Sequence, residues 1–220
     1  MSIKQRVKDS ITENKLIAII RNVDESHIEP TIQALYDGGI RLIEIAFDSS
    51  QENFLKNTSE LIKSALALRL PDLTIGAGTV ISLEILETAI SAGAQYILSP
   101  SYSKEIIKNA QKNDIVTIPG CFSPSEIVDA YSDGADFIKL FPAHRLGPDY
   151  IKDLRGPIGR IPLIAVGGIN DQNCLEYIQA GAVGVGMGSN LVNPEIINRK
   201  EYHLITNLAQ TIVNKVHSNQ

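Results

Sequence analysis

The stretch LIAVGGINDQNCLEYIQAGAVGVGMGS, residues 163–189, contains the unit from which the fold of this chain can be predicted. An apolar run at 163–168 is followed by a stretch of helical period at 174–180 and then by a second apolar run at 184–189. Runs that are apolar almost throughout are typical of parallel strands buried on both faces. Gly181 stands after the helical stretch, where a left-handed conformation ends many helices. The stretch therefore predicts a strand, a helix and a second parallel strand.

The same unit recurs along the 220 residues. The predicted strands are the apolar runs 16–21, 42–47, 74–79, 96–100, 116–120, 137–142, 163–168 and 184–189. The predicted helices between them include 51–68, 83–92, 104–112, 125–131 and 174–180, several of which end at a glycine. Eight units without a break in composition predict an α/β fold, a closed (β/α)8 TIM barrel with a short N-terminal helix at 3–12. We expect a single domain over residues 1–220, closed by a helix at 193–220.

The alternative architecture is an open doubly wound sheet. The first predicted strand is followed by Asn22-Val-Asp-Glu25 and not by the glycine-rich turn that binds dinucleotides in such sheets, so the barrel is favoured. In a barrel, catalytic residues lie at the carboxyl ends of the strands. The search for functional residues can therefore concentrate on those ends.

The composition excludes several classes of protein. The chain has 20 Lys and Arg against 25 Asp and Glu, a net charge of -5, and 44% hydrophobic residues. These values exclude a disordered chain and argue against nucleic acid or an anionic membrane as a partner. The apolar runs are too short to span a bilayer, and the polar N-terminus does not resemble a secretory signal. Since Cys121 and Cys174 form neither a disulfide framework nor a metal cluster, we expect a reduced, cytoplasmic protein.

A lysine stands in the middle of one apolar strand. Side chains alternate along a strand, so Lys139 shares a face with Phe137 and Phe141, whereas Ile138 and Leu140 face the helices. Burial of an ammonium group is costly and favours the neutral amine, which is the form that attacks a ketone to give a Schiff base. The alternative is a structural lysine that pairs with a buried carboxylate or reaches the barrel rim.

Glu44 is predicted to face the barrel interior too, because it lies in step with Leu42 and Ala46. It could carry protons during dehydration of a carbinolamine and cleavage of a carbon–carbon bond. It could equally be no more than the counter-ion of Lys139.

The ends of the last two strands are rich in glycine. Gly167 and Gly168 precede Asn170, which is expected to cap the next helix, and the final strand ends in Gly188-Ser189. Barrels often bind phosphate in the loops after strands seven and eight, where glycines let backbone N–H groups approach an anion. Glycines can also serve only tight turns, but two such ends together favour a phosphate site.

These residues resemble those of a known family, the class I 2-keto-3-deoxy-6-phosphogluconate (KDPG) aldolases. The family includes the 4-hydroxy-2-oxoglutarate (KHG) and the 2-dehydro-3-deoxy-6-phosphogalactonate (KDPGal) aldolases. The resemblance covers residues 16–191. The matching motifs, in order, are GIRLIEI at 39–45, IGAGTV at 75–80, PG at 119–120, SPSE at 123–126, IKLFP at 138–142, VGGI at 166–169 and GMGS at 186–189.

The resemblance implies that Lys139 forms a Schiff base with pyruvate and that Glu44 is the general acid and base. It implies that Thr79 contacts the pyruvyl group. The implied phosphate-binding residues are Gly167, Gly168, Gly188 and Ser189.

The implied reaction is the reversible cleavage of a 2-keto-3-deoxy-6-phospho sugar acid to pyruvate and glyceraldehyde 3-phosphate. The iminium is the electron sink, so neither a metal nor a cofactor is expected, and the four histidines show no metal-ligand spacing. A homotrimer is implied as well.

Two positions depart from the KDPG branch. Asp48 stands where an arginine usually binds the substrate carboxylate, and Val166 stands where threonine is frequent. Both departures resemble the KDPGal branch. Asp48 is predicted to share the inward face with Glu44 and to contact a substrate hydroxyl. Arg21 ends strand one on the inward side, so we expect it to bind the carboxylate, although it could instead only pair with Asp48 or Glu44.

These residues are also compatible with other functions. The chain could be a KHG aldolase that yields pyruvate and glyoxylate. It could also be a phosphosugar isomerase or epimerase, or an inactive barrel that senses a phosphorylated sugar acid.

Overall fold

A computed structural model describes residues 2–218 as alternating strands and helices. The strands are β1 Leu16–Ile20, β2 Leu42–Ala46, β3 Thr74–Gly78, β4 Tyr96–Leu98, β5 Val116–Ile118, β6 Gly120–Cys121, β7 Ile138–Leu140, β8 Leu163–Val166 and β9 Gly184–Met187. The helices are α1 Ile3–Asn14, α2 Glu25–Asp37, α3 Phe54–Ala67, α4 Leu83–Ala92, α5 Lys104–Lys112, α6 Pro124–Ser132, α7 Gly147–Ile158, α8 Cys174–Gln179, α9 Pro194–Asn198 and α10 Tyr202–His217. A short 3₁₀ turn, Ala143–Arg145, follows β7.

All the strands are parallel and follow the order β5-β4-β3-β2-β1-β9-β8-β7-β6 around a barrel. The two short strands β5 and β6 flank Pro119, which has no N–H to donate to a ladder. β5 pairs with β4 and β6 pairs with β7. The Pro119 carbonyl accepts a hydrogen bond from Lys139 N at 2.9 Å, so the ladder continues past the proline. Within residues 2–218, β5 and β6 thus act as one strand of an eight-stranded barrel, which confirms the predicted fold class.

Successive side chains along each strand point, as predicted, alternately into the barrel interior and toward the helices. One cluster of buried side chains fills the barrel, with Ile17, Leu42, Tyr96, Phe137 and Ile164 among its members. A second, larger cluster lies between the strands and the helices; it includes Ile20, Ile43, Ile45, Ile138 and Leu140. The expected inward side of β7 and β2 is therefore confirmed.

Helix α1 covers the amino-terminal end of the barrel. Its buried residues Val7 and Ile11 belong to the interior cluster. Lys4 Nζ lies 2.9 Å from a carboxylate oxygen of Asp136, and the same oxygen accepts a hydrogen bond from Thr117 N at 3.0 Å. The helix is thus fastened to the strand ends that it covers.

The glycines expected to end helices adopt the required conformation. Gly39, Gly93, Gly134 and Gly181 have φ values of 93°, 95°, 99° and 111°. In this left-handed region a glycine avoids the steric cost that a Cβ would bring.

Apart from shifts of a few residues at the ends of elements, two features differ from the prediction. Asn170 does not cap α8; its side-chain oxygen instead accepts hydrogen bonds from Gln172 N and Asn173 N in a turn, and α8 begins only at Cys174. The region 193–220 contains two helices, α9 and α10, because Lys200 between them has a left-handed φ of 58°. Residues 219–220 lie outside the described part. None of the helices in residues 2–218 has the length and apolarity needed to cross a membrane.

Candidate active site

A cavity of about 520 Å³ opens at the carboxyl ends of the strands. It brings together eight of the nine predicted site residues, which come from the ends of β1, β2, β3, β7, β8 and β9. They are Arg21, Glu44, Thr79, Lys139, Gly167, Gly168, Gly188 and Ser189. Asp48 does not line this cavity.

Lys139 lies at the centre of β7 with 5% of its surface exposed. Its Nζ lies 4.7 Å from the centroid of the Phe141 ring. Burial lowers the pKa of Lys139; the carboxylate of Glu44 opposes that shift, and the positive charge of Arg21 adds to it. The salt bridges within residues 2–218 do not include Lys139. The amine is therefore a buried group without an ion pair at contact distance, and its neutral form is favoured.

Glu44 lies on β2 with 1% of its surface exposed. Burial raises the pKa of its carboxyl group, against the opposing charges of Lys139 and Arg21. Within residues 2–218 its Oε2 is buried and has no hydrogen-bond partner. Burial thus acts in opposite directions on the two pKa values: it raises that of the Glu44 carboxyl group and lowers that of the Lys139 amine.

Arg21 and Thr79 follow β1 and β3 at the mouth of the cavity. Arg21 is exposed, and its charge acts on both Glu44 and Lys139. Thr79 has a φ of 58°, which is rare for a β-branched residue. Backbone strain of this kind is typical of functional sites, where the surrounding structure maintains it. The conformation turns the chain away from β3 directly at the cavity.

The glycines after β8 also have left-handed backbones. Gly167 and Gly168 have φ values of 96° and 74°, and a Cβ at Gly168 would lie 2.5 Å from the Cβ of His144. The carbonyl of Gly168 accepts a hydrogen bond from Asn173 Nδ2 at 3.0 Å, and Asn190 Nδ2 donates to Ile169 O at 2.8 Å. These bonds fix the shape of the loop, and a side chain at Gly168 would be strained and would collide with His144.

The prediction that Asp48 shares the inward face with Glu44 is wrong. β2 ends at Ala46, so the alternation of strand side chains no longer applies at position 48. One carboxylate oxygen of Asp48 accepts hydrogen bonds from Ser50 Oγ at 2.6 Å and from Ser50 N at 3.0 Å. These bonds lower the pKa of Asp48, to which Asn22 and Arg21 contribute as well. The side chain lines a neighbouring cavity of about 270 Å³.

Sequence reasoning missed several residues of the site. Asn22, Pro100 and Asn190 line the cavity beside the predicted residues. Asn22 and Asn190 each lie one position beyond a predicted strand, and Pro100 is the last residue of another, so the strand-end criterion could have included them.

Comparisons with known proteins agree with this geometry. The family model "Aldolase: KDPG and KHG aldolase" matches residues 7–208. The chain is 33% identical to a probable 2-dehydro-3-deoxy-6-phosphogalactonate aldolase of Rhizobium meliloti (strain 1021), over 83% of this chain and 84% of the relative. It is 31% identical to a 2-dehydro-3-deoxy-phosphogluconate aldolase of Pseudoalteromonas atlantica (strain T6c / ATCC BAA-1087), over 94% of this chain and 93% of the relative.

A solved structure with the same fold is the KDPG aldolase from Legionella pneumophila, with pyruvate captured at low pH as a covalent carbinolamine intermediate. The two structures agree with a TM-score of 0.82 and 29% sequence identity, over 93% of this chain and 97% of the other. The family model, the relatives and the barrel with its buried lysine all lead to the same conclusion: the chain belongs to the KDPG and KHG aldolase family.

Proposed function

We propose that this aldolase uses Lys139 to cleave a 2-keto-3-deoxy-6-phospho sugar acid, KDPG or KDPGal, reversibly to pyruvate and glyceraldehyde 3-phosphate. The observation that carries the proposal is the buried Lys139, placed in one cavity with the buried Glu44 and the glycine loop at 167–168. An amine, a proton carrier and an anion site in one cavity are the three elements that this reaction requires.

The reaction begins with a covalent bond. The neutral Nζ of Lys139 attacks C2 of the keto acid to form a carbinolamine. Protonated Glu44 gives its proton to the carbinolamine hydroxyl, which leaves as water, so that an iminium ion and the Glu44 carboxylate remain. Glu44 takes the proton of the C4 hydroxyl, the C3–C4 bond breaks, and its electron pair moves through C3 to the iminium nitrogen. The aldehyde leaves, Glu44 returns a proton to C3 of the enamine, and water releases pyruvate from Lys139. Protons and electrons balance without a further reactant.

The remaining residues are assigned by their place at the mouth. Arg21 is the cation available for the substrate carboxylate, and Thr79 contacts the pyruvyl group. The phosphate is bound at Gly167, Gly168, Gly188 and Ser189. Asp48 is assigned a contact with a substrate hydroxyl at the rim, because the charge of Arg21, which lines the cavity, acts on its carboxylate.

Two substrates differ only at C4, and Asp48 and Val166 favour KDPGal. A relative that is 33% identical bears the phosphogalactonate name, which supports the same choice. The glycine loop favours a phosphorylated substrate over 4-hydroxy-2-oxoglutarate. Parallel assays with the three substrates test the choice, and the highest kcat/KM with 4-hydroxy-2-oxoglutarate would contradict the phosphate assignment.

Borohydride trapping tests the mechanism. Reduction in the presence of pyruvate should leave one stable adduct on Lys139, visible by peptide mass spectrometry, with loss of activity. The Lys139→Met variant should take up no adduct, whereas Lys112→Met, an exposed position on α5, should react like the wild type. An unmodified protein, or an adduct on another lysine, would refute the Schiff-base mechanism and leave an isomerase or a binding protein.

We further propose a cytoplasmic homotrimer. Val128 and Tyr131 are exposed apolar side chains one turn apart on α6, and the exposed Phe122 lies just before this helix. Such a patch is typical of a subunit interface. Light scattering should give three times the mass of the chain, and Tyr131→Glu should shift the protein to monomers.

A further inference from the structure

Tyr96 lies inside the barrel and has no part in the mechanism above. Its side chain is fully buried, and within residues 2–218 its hydroxyl oxygen has no hydrogen-bond partner. A buried hydroxyl without a partner destabilises the folded state, whereas phenylalanine would fill the same space at no such cost. Packing alone therefore does not account for a tyrosine at this position.

The strand register places Tyr96 at the level of Glu44. Glu44 pairs with Gly76 across β2 and β3, and Gly76 pairs with Tyr96 across β3 and β4. A Cβ at Gly76 would overlap the ring atoms Cδ2, Cε2 and Cζ of Tyr96. The ring therefore lies across β3 over Gly76, which has no side chain, and carries its hydroxyl from β4 toward β2.

Glu44 offers the matching acceptor. Like the hydroxyl oxygen of Tyr96, Oε2 of Glu44 is buried inside the barrel and has no hydrogen-bond partner among the described residues. The charge of Glu44 also raises the pKa of Tyr96, in addition to the larger effect of burial, so the phenol keeps its proton and remains a donor. The other charged groups that act on Glu44 are Lys139 from β7 and Arg21 from the end of β1.

We propose that Tyr96 is a positioning residue that donates a hydrogen bond to Glu44 Oε2 through one water molecule. The bond orients the carboxylate below the substrate and favours its charged form, which is the form that accepts a proton. The inference rests on the proposed role of Glu44 as the proton carrier. It explains why a tyrosine and a glycine share one register level beneath the cavity.

The test uses Tyr96→Phe and the exchange of the pyruvate methyl protons with deuterated water. At saturating pyruvate Lys139 is already an iminium, so the rise of the exchange rate with pH reports the ionisation of Glu44. Loss of the donor raises the pKa of Glu44, and the rise should move to higher pH by about one unit. Tyr177→Phe is the matched control, because Tyr177 is buried outside the barrel and donates to Ala143 O at 3.4 Å.

Each result decides the question. A shifted profile in Tyr96→Phe supports the proposal, and a lower melting temperature is expected with it, because the buried carboxylate loses a donor. An unshifted profile overturns it, whether the melting temperature falls or not, because a purely structural tyrosine changes stability and leaves the profile in place. Failure of the proposed function looks different, since the wild type would then give no adduct on Lys139 and no exchange.

Discussion

The carboxylate of Glu44 occupies the space that a side chain at Gly78 would need. A Cβ at Gly78 would overlap Oε1 of Glu44, and the pair joins β2 and β3 inside the barrel. Gly78 is the last residue of β3 and pairs with Ala46, two residues beyond Glu44. The position of Glu44, the proposed proton carrier, thus depends on the absence of one methyl group on the neighbouring strand.

The first prediction concerns that methyl group. Gly78→Ala should displace the Glu44 carboxylate and lower kcat about 100-fold, the usual contribution of a positioned general acid or base. The adduct of pyruvate on Lys139 should still form, since the lysine is unchanged. Gly156→Ala, in α7 with no atom within 4 Å of the added Cβ, should keep its activity. Full activity in Gly78→Ala would contradict the assigned position of Glu44.

The second prediction concerns the pH dependence of adduct formation. The pKa of Lys139 is lowered from 10.5, so the rate of borohydride-trapped adduct should reach half of its maximum below that pH. Glu44 raises this pKa and Arg21 lowers it. The midpoint should therefore move to lower pH in Glu44→Gln and to higher pH in Arg21→Ala. Midpoints that move in the same direction would contradict the electrostatic account.

The third prediction separates the two anionic groups of the substrate. If Arg21 binds the carboxylate, Arg21→Ala should raise the pyruvate concentration for half-maximal adduct formation by about tenfold or more. Inhibition by inorganic phosphate, which has only the phosphate group, should stay within about twofold of the wild type. Arg41→Ala is the control, because Arg41 stacks on Tyr36 at 4.1 Å outside the cavity. A larger loss toward phosphate than toward pyruvate would place Arg21 in the phosphate site.

The fourth prediction concerns the glycine loop. Gly168→Ala should weaken binding of the phosphorylated substrate, because an alanine is strained at a φ of 74° and its Cβ meets His144. We expect KM to rise about tenfold or more for KDPG or KDPGal, with adduct formation from pyruvate nearly unchanged. An equal loss toward pyruvate would show that the variant has disturbed the whole barrel.

The alternation of strand residues predicted the buried positions of Lys139 and Glu44. That rule works because barrel strands are apolar on both faces, so a charged residue within one is conspicuous. It failed at Asp48, where β2 has ended and hydrogen bonds from Ser50 decide the direction of the side chain. Local turn chemistry follows no strand period.

Other features of the site depend on contacts between distant parts of the chain. The left-handed φ of Thr79 has no signal in the sequence, since a β-branched residue is a poor candidate for it. Tyr96 resembles any other residue of an apolar strand. Its relation to Glu44 emerges only from the register of three strands, with Gly76 between them.

The cover that α1 places over the amino-terminal end of the barrel has a kinetic consequence. Val7 and Ile11 close that end, so molecules enter and leave the reaction chamber past Arg21 and the glycine loop. In the proposed mechanism the three-carbon keto acid is still covalently attached to Lys139 after cleavage, while the aldehyde is free. The aldehyde therefore departs first and pyruvate last, and in the synthetic direction pyruvate must enter before its partner.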